Sequence, residues 1–413
     1  MIHTIVDSMC IFALGKIRIC QEGEFGAWLM AGSIVCLRGW HPALAKAELE
    51  SLFPNNKLVQ LESPRLVMLE GEINLEQARI NVNSSSGIQA ILTDCIIMDW
   101  DGNNNTKRKF ITNIGKTIEK SDKSGSIGVF SWRQEGRIQG LSGSELANSV
   151  GAITTDLGYS VNLDNPDHKV GIMLDGFSKK VICGWMLDAN MDSSGMSSRR
   201  ATERPFFKPI SLDPKLARLA VNLAGGPIDE RIILDPMTGT GGFDIEAATM
   251  GRNIIAVDMD MERVEGTEKN LQSAIEIPKS TIQVIQGDAT RLSQCIPEQF
   301  DKEVSGVVLD PPYGRNSHGT TSHYNLLEST LLSVHEICTR DANLVLILPI
   351  KPIKIDINNQ LKDDSSIKLL HGEWNDFKKM LTTSGWNVKG KWCEHVHSSL
   401  SRLILHATIS PQD

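Results

Sequence analysis

From residue 213 to the C-terminus, short apolar runs alternate with segments of helical spacing, and aspartates fall at or just past the ends of four successive runs: Asp235, Asp258, Asp288 and Asp310. The runs themselves, 231–234, 253–257, 281–285, 304–309 and 344–348, are continuous rather than alternating in hydrophobicity. That is the pattern of strands covered on both faces, so the segment is expected to form a mostly parallel, doubly wound sheet with helices on either side. Two further runs, 389–396 and 403–409, read as a closing antiparallel hairpin. In open α/β sheets ligands bind beyond the carboxyl ends of the strands, where the four acids would line a crevice. Any one of them alone is more often a turn or capping residue. A whole series of strand ends carrying the same charge is not what turn chemistry produces by itself.

The first strand runs into Asp235-Pro236-Met237-Thr238-Gly239-Thr240-Gly241-Gly242 before the next helix. Gly239 and Gly241 permit a tight turn and close approach of a ligand to the backbone. The spacing is neither the dinucleotide fingerprint nor a P-loop. Asp258, ending the next strand, is placed to accept from both hydroxyls of a ribose, and Asp288 from an adenine amine. With no phosphate cradle, and with acids that would repel a pyrophosphate, the set suits S-adenosylmethionine better than NAD or ATP.

The fourth strand ends in Asp310-Pro311-Pro312-Tyr313-Gly314. Proline fixes its own φ and pushes the residue before it into extended conformations, so Asp310 and Pro311 are both stiffened. The Asp310 carboxylate and the Pro311 carbonyl can then face one point as two acceptors, with Tyr313 offering a ring for stacking and Gly314 a turn away. Such a site suits an aromatic amine whose nitrogen attacks an electrophile. A bare Asp-Pro-Pro is equally compatible with an edge strand ending in a turn.

Upstream, strand-like runs at 33–37, 66–69, 91–98, 127–132, 161–163, 170–174 and 181–187 mix with helical spacing at 43–53 and 143–157. The small, polar segment 189–205 reads as a linker between this half, 30–188, and the segment 206–413. Residues 1–29 read as an extension, either poorly ordered or lying upstream of a start at Met30. A net charge of −8 excludes a chain that is basic throughout, so nucleic acid would have to meet a local patch. One exists: Lys107, Arg108, Lys109, Lys116, Lys120, Lys123, Arg133 and Arg137 outnumber the three acids among them, although a merely solvated charged face has the same composition. The eight cysteines form no C-x-x-C pair, which suits a reducing cytoplasm, and His395 and His397 share a strand face without a third ligand, so no metal is expected. No run approaches the length needed to cross a bilayer.

Taken together, these motifs resemble those of class I amino-methylating methyltransferases, and more narrowly the archaeal tRNA guanine-10 N2-methyltransferases, which carry a THUMP RNA-binding domain. The resemblance runs from about Ser33 to the C-terminus. It rests on Ser144-Glu145-Leu146-Ala147 and Val161-Asn162-Leu163-Asp164-Asn165-Pro166-Asp167 in the first half, and on Arg204-Pro205-Phe206-Phe207-Lys208-Pro209, Asp235 to Gly242, Asp310 to Asn316 and His395 to Arg402 in the second. Thr238 departs from the pattern, since cysteine is common there, with little consequence expected because both are small.

The resemblance implies an N-terminal ferredoxin-like plus THUMP α/β region and a C-terminal Rossmann-like methyltransferase with a mostly parallel sheet. It implies Asp310, Pro311 and Tyr313 at the target base, with Pro312, Gly314 and Arg315 beside them. Asp235, Gly239, Gly241, Asp258, Asp288 and Ala289 would surround S-adenosylmethionine, and Lys107, Arg108, Lys109 and Arg133 would meet tRNA. The implied reaction is methylation of a guanine N2 amine in tRNA, in the cytoplasm, with no protein partner indicated. A ribosomal RNA guanine or DNA adenine methyltransferase would use the same pocket, and a non-catalytic RNA-binding subunit is the reading from another class.

Overall fold

The computed structural model describes residues 19–22, 28–30, 32–188, 194–208, 212–275, 280–312 and 319–410. They form two compact units. The first comprises Met1–Cys36, Asn56–Ile73 and Ala90–Leu187; the second comprises Leu37–Asn55, Asn74–Gln89 and Asp188–Asp413.

In chain order, β1 (Ile19–Glu22), β2 (Trp28–Met30) and β3 (Ser33–Leu37) lead to α1 (Pro42–Leu52), β4 (Lys57–Gln60), β5 (Leu66–Glu70), α2 (Leu75–Ser84) and β6 (Ile88–Asp99). There follow α3 (Asn104–Glu119), β7 (Ser126–Gln134), α4 (Gly143–Asp156), β8 (Ser160–Val161), β9 (His168–Asp175) and β10 (Lys180–Asp188). The strands of the first unit lie in the order β4-β5-β3-β6-β10-β9-β7-β8, and β2 joins β1 to β6. Part of the expected extension is therefore strand: Trp28 and Leu29 pair with Ile97 and Ile96 on the long β6. The basic stretch is also more regular than expected. Its first part, Lys107 to Lys116, lies on α3, because Asn103 caps that helix and Phe110, Ile114 and Ile118 recur on one face, packing with Leu146 and Val150 of α4 over Ile127, Val170 and Ile172, whereas Arg133 lies on β7.

The second unit adds α5 (Ser194–Ser198), α6 (Pro214–Gly225), β11 (Ile232–Asp235), α7 (Gly242–Thr249), β12 (Asn253–Asp258), α8 (Met261–Ala274), β13 (Ile282–Gln286), α9 (Leu292–Cys295) and β14 (Val304–Leu309). It closes with α10 (Gly319–Ile337), β15 (Cys338–Ile350), α11 (Trp374–Thr383), β16 (Trp386–His397) and β17 (Leu400–Ile409). Its sheet has the order β13-β12-β11-β14-β15-β17-β16, parallel except where β17 meets β15 and β16. The continuous apolar runs do what such runs must. Val307, Leu309, Leu344, Leu346 and Leu348 face one core with Leu331, Val334 and Phe377, whereas Val308, Val345 and Ile347 face another with Leu216, Leu219 and Phe243.

Two expectations about boundaries change. Helices α1 and α2 lie within 30–188 but group with the second unit. Leu44 and Ala47 join the core around α6, and Ser51 Oγ donates to the carbonyls of Asn222 and Leu223 at 3.0 and 3.2 Å. Glu48 is fully buried and accepts from Ser85 Oγ (2.7 Å), Ser86 N (3.0 Å), Gly87 N (2.7 Å) and Asn222 Nδ2 (2.7 Å). Gly87 is required there, since a Cβ would come within 2.5 Å of Ala45 Cβ. The expected linker is likewise folded in part onto the second unit: Arg199 grips the buried Glu246 through both oxygens, at 2.7 and 3.1 Å. Residues 189–193 lie outside the described residues.

Candidate active site

Strand order reverses between β11 and β14, because the chain builds outward from β11 through β12 to β13 and then places β14 on the opposite flank. This is the switch point at which open α/β sheets bind ligands. Asp235 ends β11 and Asp310 follows β14, so the two flank it, while Asp258 ends β12 and Asp288 follows β13.

Three of the four acids share one local device. Asp235 Oδ1 accepts from Met237 N (3.2 Å), Asp258 Oδ1 from Asp260 N (3.0 Å) and Asp288 Oδ1 from Thr290 N (2.9 Å). Each is an aspartate accepting from the amide two residues on, which ends the strand and leaves Oδ2 as a second acceptor. Turn chemistry and site chemistry thus use different oxygens of the same side chain. Asp258 Oδ2 accepts in addition from Gly239 N at 3.0 Å, tying the glycine-rich turn to the neighbouring strand. That turn needs its glycines: Gly239 and Gly241 have φ of 59° and 75°, and a Cβ on Gly241 would lie 2.9 Å from Thr267 Cγ2. Ala289 is buried behind the exposed Asp288.

Electrostatically the centre of the crevice is strained. Burial, reinforced by Asp244 and then by Asp310 and Asp258, holds the Asp235 carboxyl well above the usual carboxylate range, against a lowering by the Met237 amide. Burial also pushes Asp244, in the first turn of α7, up to about 7, although the Thr238 hydroxyl donates to its Oδ2. Thr238 is therefore not a passive equivalent of cysteine, because a thiol is a much weaker donor to a buried carboxylate. Arg204 lies close by, 8 % exposed, with Nε donating to Arg199 O at 2.8 Å.

Beyond Asp310, Pro311 is buried and Pro312 exposed. Both border a pocket lined also by Met237, Tyr324, Leu348 and Phe377. Its walls are mostly apolar, as those of small-molecule sites are. Tyr324 is oriented by donation from its hydroxyl to Glu373 O at 3.1 Å. Tyr313, Gly314 and Arg315 lie outside the described residues. In the first unit Arg108, Lys109 and Arg133 are exposed, but Lys107 is half-buried and ion-paired with Glu145 at 3.0 Å, so its charge is partly spent within the fold.

Sequence reasoning missed Asp244, Arg204 as an individual residue, and the Tyr324–Phe377 wall. An aspartate in a helix's first turn resembles an ordinary helix-end charge. The pocket wall joins α10 and α11 to β14 across long sequence separations, with no local signal. The residues present fit S-adenosylmethionine. Acids at successive strand ends offer acceptors for hydroxyls and charge for a sulfonium cation, and the glycine turn exposes backbone beside them.

The family of the RMKL-like methyltransferase domain (UPF0020) matches residues 201–357. A tRNA (guanine(10)-N2)-dimethyltransferase of Pyrococcus abyssi is 30 % identical over 262 residues, covering 62 % of this chain and 67 % of that protein. The protein of the same name from Methanocaldococcus jannaschii is 28 % identical over 267 residues, covering 64 % and 72 %. A tRNA (guanine(6)-N2)-methyltransferase of M. jannaschii is 27 % identical over 227 residues, covering 45 % and 55 %. The resemblance read from the motifs is thus met by similarity along most of the chain, and the protein belongs to the archaeal tRNA (guanine(10)-N2)-methyltransferase family.

Proposed function

We propose that this protein methylates the exocyclic N2 amine of guanine-10 in tRNA, using S-adenosylmethionine. The observation that carries the reading is the placement of Asp310 and Pro311 at the switch point, with Pro311 bordering an apolar pocket. Relatives similar over most of the chain are named for tRNA, which favours tRNA over ribosomal RNA or DNA.

Bound S-adenosylmethionine supplies an electrophilic methyl group. The protein's task is on the acceptor side, because the guanine amine is a poor nucleophile whose lone pair is delocalised into the ring. Asp310 and the Pro311 carbonyl accept its two N–H bonds, which localises the lone pair and aligns it. Positioning of this kind is worth about 7–11 kcal/mol at best. Asp310 acts as orienter and charge stabiliser rather than as a strong base, since a carboxylate of reference pKa about 4 cannot deprotonate a neutral aryl amine in advance. Tyr324 and Phe377 wall the pocket that receives a base extruded from the RNA. The first unit holds tRNA by phosphate contacts, to which Arg108, Lys109 and Arg133 contribute.

The test is methyl incorporation into a tRNA transcript, followed by nucleoside mass spectrometry. N2-methylated guanosine is expected, lost when guanine-10 is replaced by adenine, and reduced by about 10²–10³-fold or more in Asp310→Ala with tRNA binding kept. Product retained without guanine-10 but lost without guanine-6 would reassign the position, and full activity in Asp310→Ala would overturn the site.

A further inference from the structure

Beyond Leu309 the chain leaves the sheet, and a later segment takes over that edge of β15. Leu309 pairs with Leu346, whereas four residues further along, Ile350 pairs with Ser401 of β17 on one edge and with Leu369 on the other. Lys351 N donates to Lys368 O at 2.8 Å and Leu370 N to Pro349 O at 3.2 Å, which fixes an antiparallel register. Ile350 and Leu369 pack into the same core, so the next rung, Lys351 opposite Lys368, faces the other way. Both lysines are exposed. Like charges directly across two strands repel. The three acids between them in the chain are engaged elsewhere. Asp364 is paired with Lys378 (3.0 Å) and Lys391, Asp363 accepts from Ser365 N (2.8 Å), and Asp356 accepts from Asn358 N (2.9 Å) and Asn359 Nδ2 (2.8 Å). Among the described residues neither lysine makes an ion pair.

The pair stands at the rim of the candidate site. Lys351 lies five residues beyond Leu346, the partner of Leu309, which is on the order of 16 Å along β15. Asp310 and Pro311 leave the sheet on the same edge within that span, and Pro349, Leu369 and His371 beside the rung line the pocket that Pro311 borders. A base that reaches Asp310 from outside the sheet keeps its sugar and phosphates on the outer side, over this rim. We propose that Lys351 and Lys368 hold the RNA phosphate backbone on either side of the extruded guanosine, so that the second unit itself grips the nucleotide it modifies. The inference rests on the reading that an RNA base enters beside Asp310, and it deepens that reading by a contact separate from the basic residues of the first unit. Two cations on one rung suit the two phosphodiesters that flank one nucleoside, and they position the strand without reading its sequence. Bound phosphate also relieves the repulsion that the RNA-free fold carries at this rung.

The experiment measures how binding of a tRNA transcript to the full chain depends on salt. Lys351→Gln together with Lys368→Gln should flatten the slope of log K against log salt by about 1.4, the value for two phosphate contacts on a single strand. The loss of affinity is then about 25-fold at 0.1 M salt and vanishes towards 1 M. Lys351→Arg together with Lys368→Arg should keep the slope, because either cation neutralises a phosphate. S-adenosylmethionine binding, read by calorimetry, should be unchanged in both double variants. The urea midpoint of the RNA-free protein should not fall, since the pair contributes repulsion rather than support. An unchanged slope in the glutamine variant overturns the proposal. So does a fall in urea midpoint that accompanies the lost affinity, which would mark the lysines as scaffold. Methylation of a different guanine, or of ribosomal RNA, would correct the proposed substrate and leave the slope to be measured on the RNA that is modified, so the two readings fail separately.

Discussion

Glu48 and Arg204 are both charged, both buried in the second unit, and opposite in how the fold treats them. Each Glu48 oxygen receives donors, from Ser85, Ser86, Gly87 and Asn222, and Arg252 extends the network through Asn222 Oδ1 at 3.1 Å. Arg204 has one partner on Nε and none among the described residues on its fork. A satisfied buried charge fastens segments together, here α1, the turn after α2, and α6. An unsatisfied one is held at a single point, the Arg199 carbonyl, while Glu246 and Asp244 offset its charge without hydrogen-bonding its fork. Burial alone would have ranked the two side chains together; the donor account separates them.

The comparison breaks most visibly at Glu48. Glu48→Ala strands a hydroxyl, two amides and the Asn222 side chain in a dry interior, and should cost about 3–5 kcal/mol in urea unfolding, read from hydrogen exchange of α6 amides. A loss below about 1 kcal/mol would show that the network does not hold α1 to α6, and the contrast with Arg204 would lose its structural half.

The two halves of this contrast were unequally legible in the sequence. The sheet of the second unit was readable because its strands are buried on both faces and so print as continuous runs, and because Pro214 and Asp213 mark a helix start by local chemistry. The strand-end acids were readable for the same reason, as position relative to a run needs no tertiary information. Glu48 looked like one more polar residue on an amphipathic helix, and only the distant Asn222 gives it meaning. Arg204 stood in a quoted motif but had no role, because what distinguishes it is the absence of partners. The grouping of α1 and α2 with the second unit was hidden too: their apolar faces record that something is covered, not what covers it.

A smaller effect tests whether the region around Arg204 is as poorly satisfied as the donor account implies. Thr238→Val removes the hydroxyl that donates to Asp244 and leaves a second buried carboxylate oxygen without a donor. About 1–3 kcal/mol of stability should be lost in the ligand-free protein, with Thr238→Cys intermediate because sulfur donates weakly. If Cys and Thr are indistinguishable in ligand-free unfolding, the hydroxyl is a spectator.

The smallest effect is a pH dependence, and its sign follows from Asp244. Its carboxyl is held at about 7 in the fold, chiefly by burial, against an ordinary aspartate value of 3.8. The native state therefore keeps a proton that the unfolded chain has already released, and the stabilisation this gives is full below about pH 4 and fades as pH rises through about 7. Between pH 6 and 8 the ligand-free second unit should lose stability on the order of 1 kcal/mol. Asp235 is displaced in the same direction and steepens the trend rather than opposing it. Asp244→Asn carries no titrating group at that position and should flatten the slope, measured as the change in urea midpoint across that range at constant ionic strength. An unchanged slope in Asp244→Asn would move the titration to another group and remove the evidence that the crevice resists its own negative charge. That resistance is what a bound cation would relieve, so the slope measures, without any ligand present, how strongly the fold is built around a positive one.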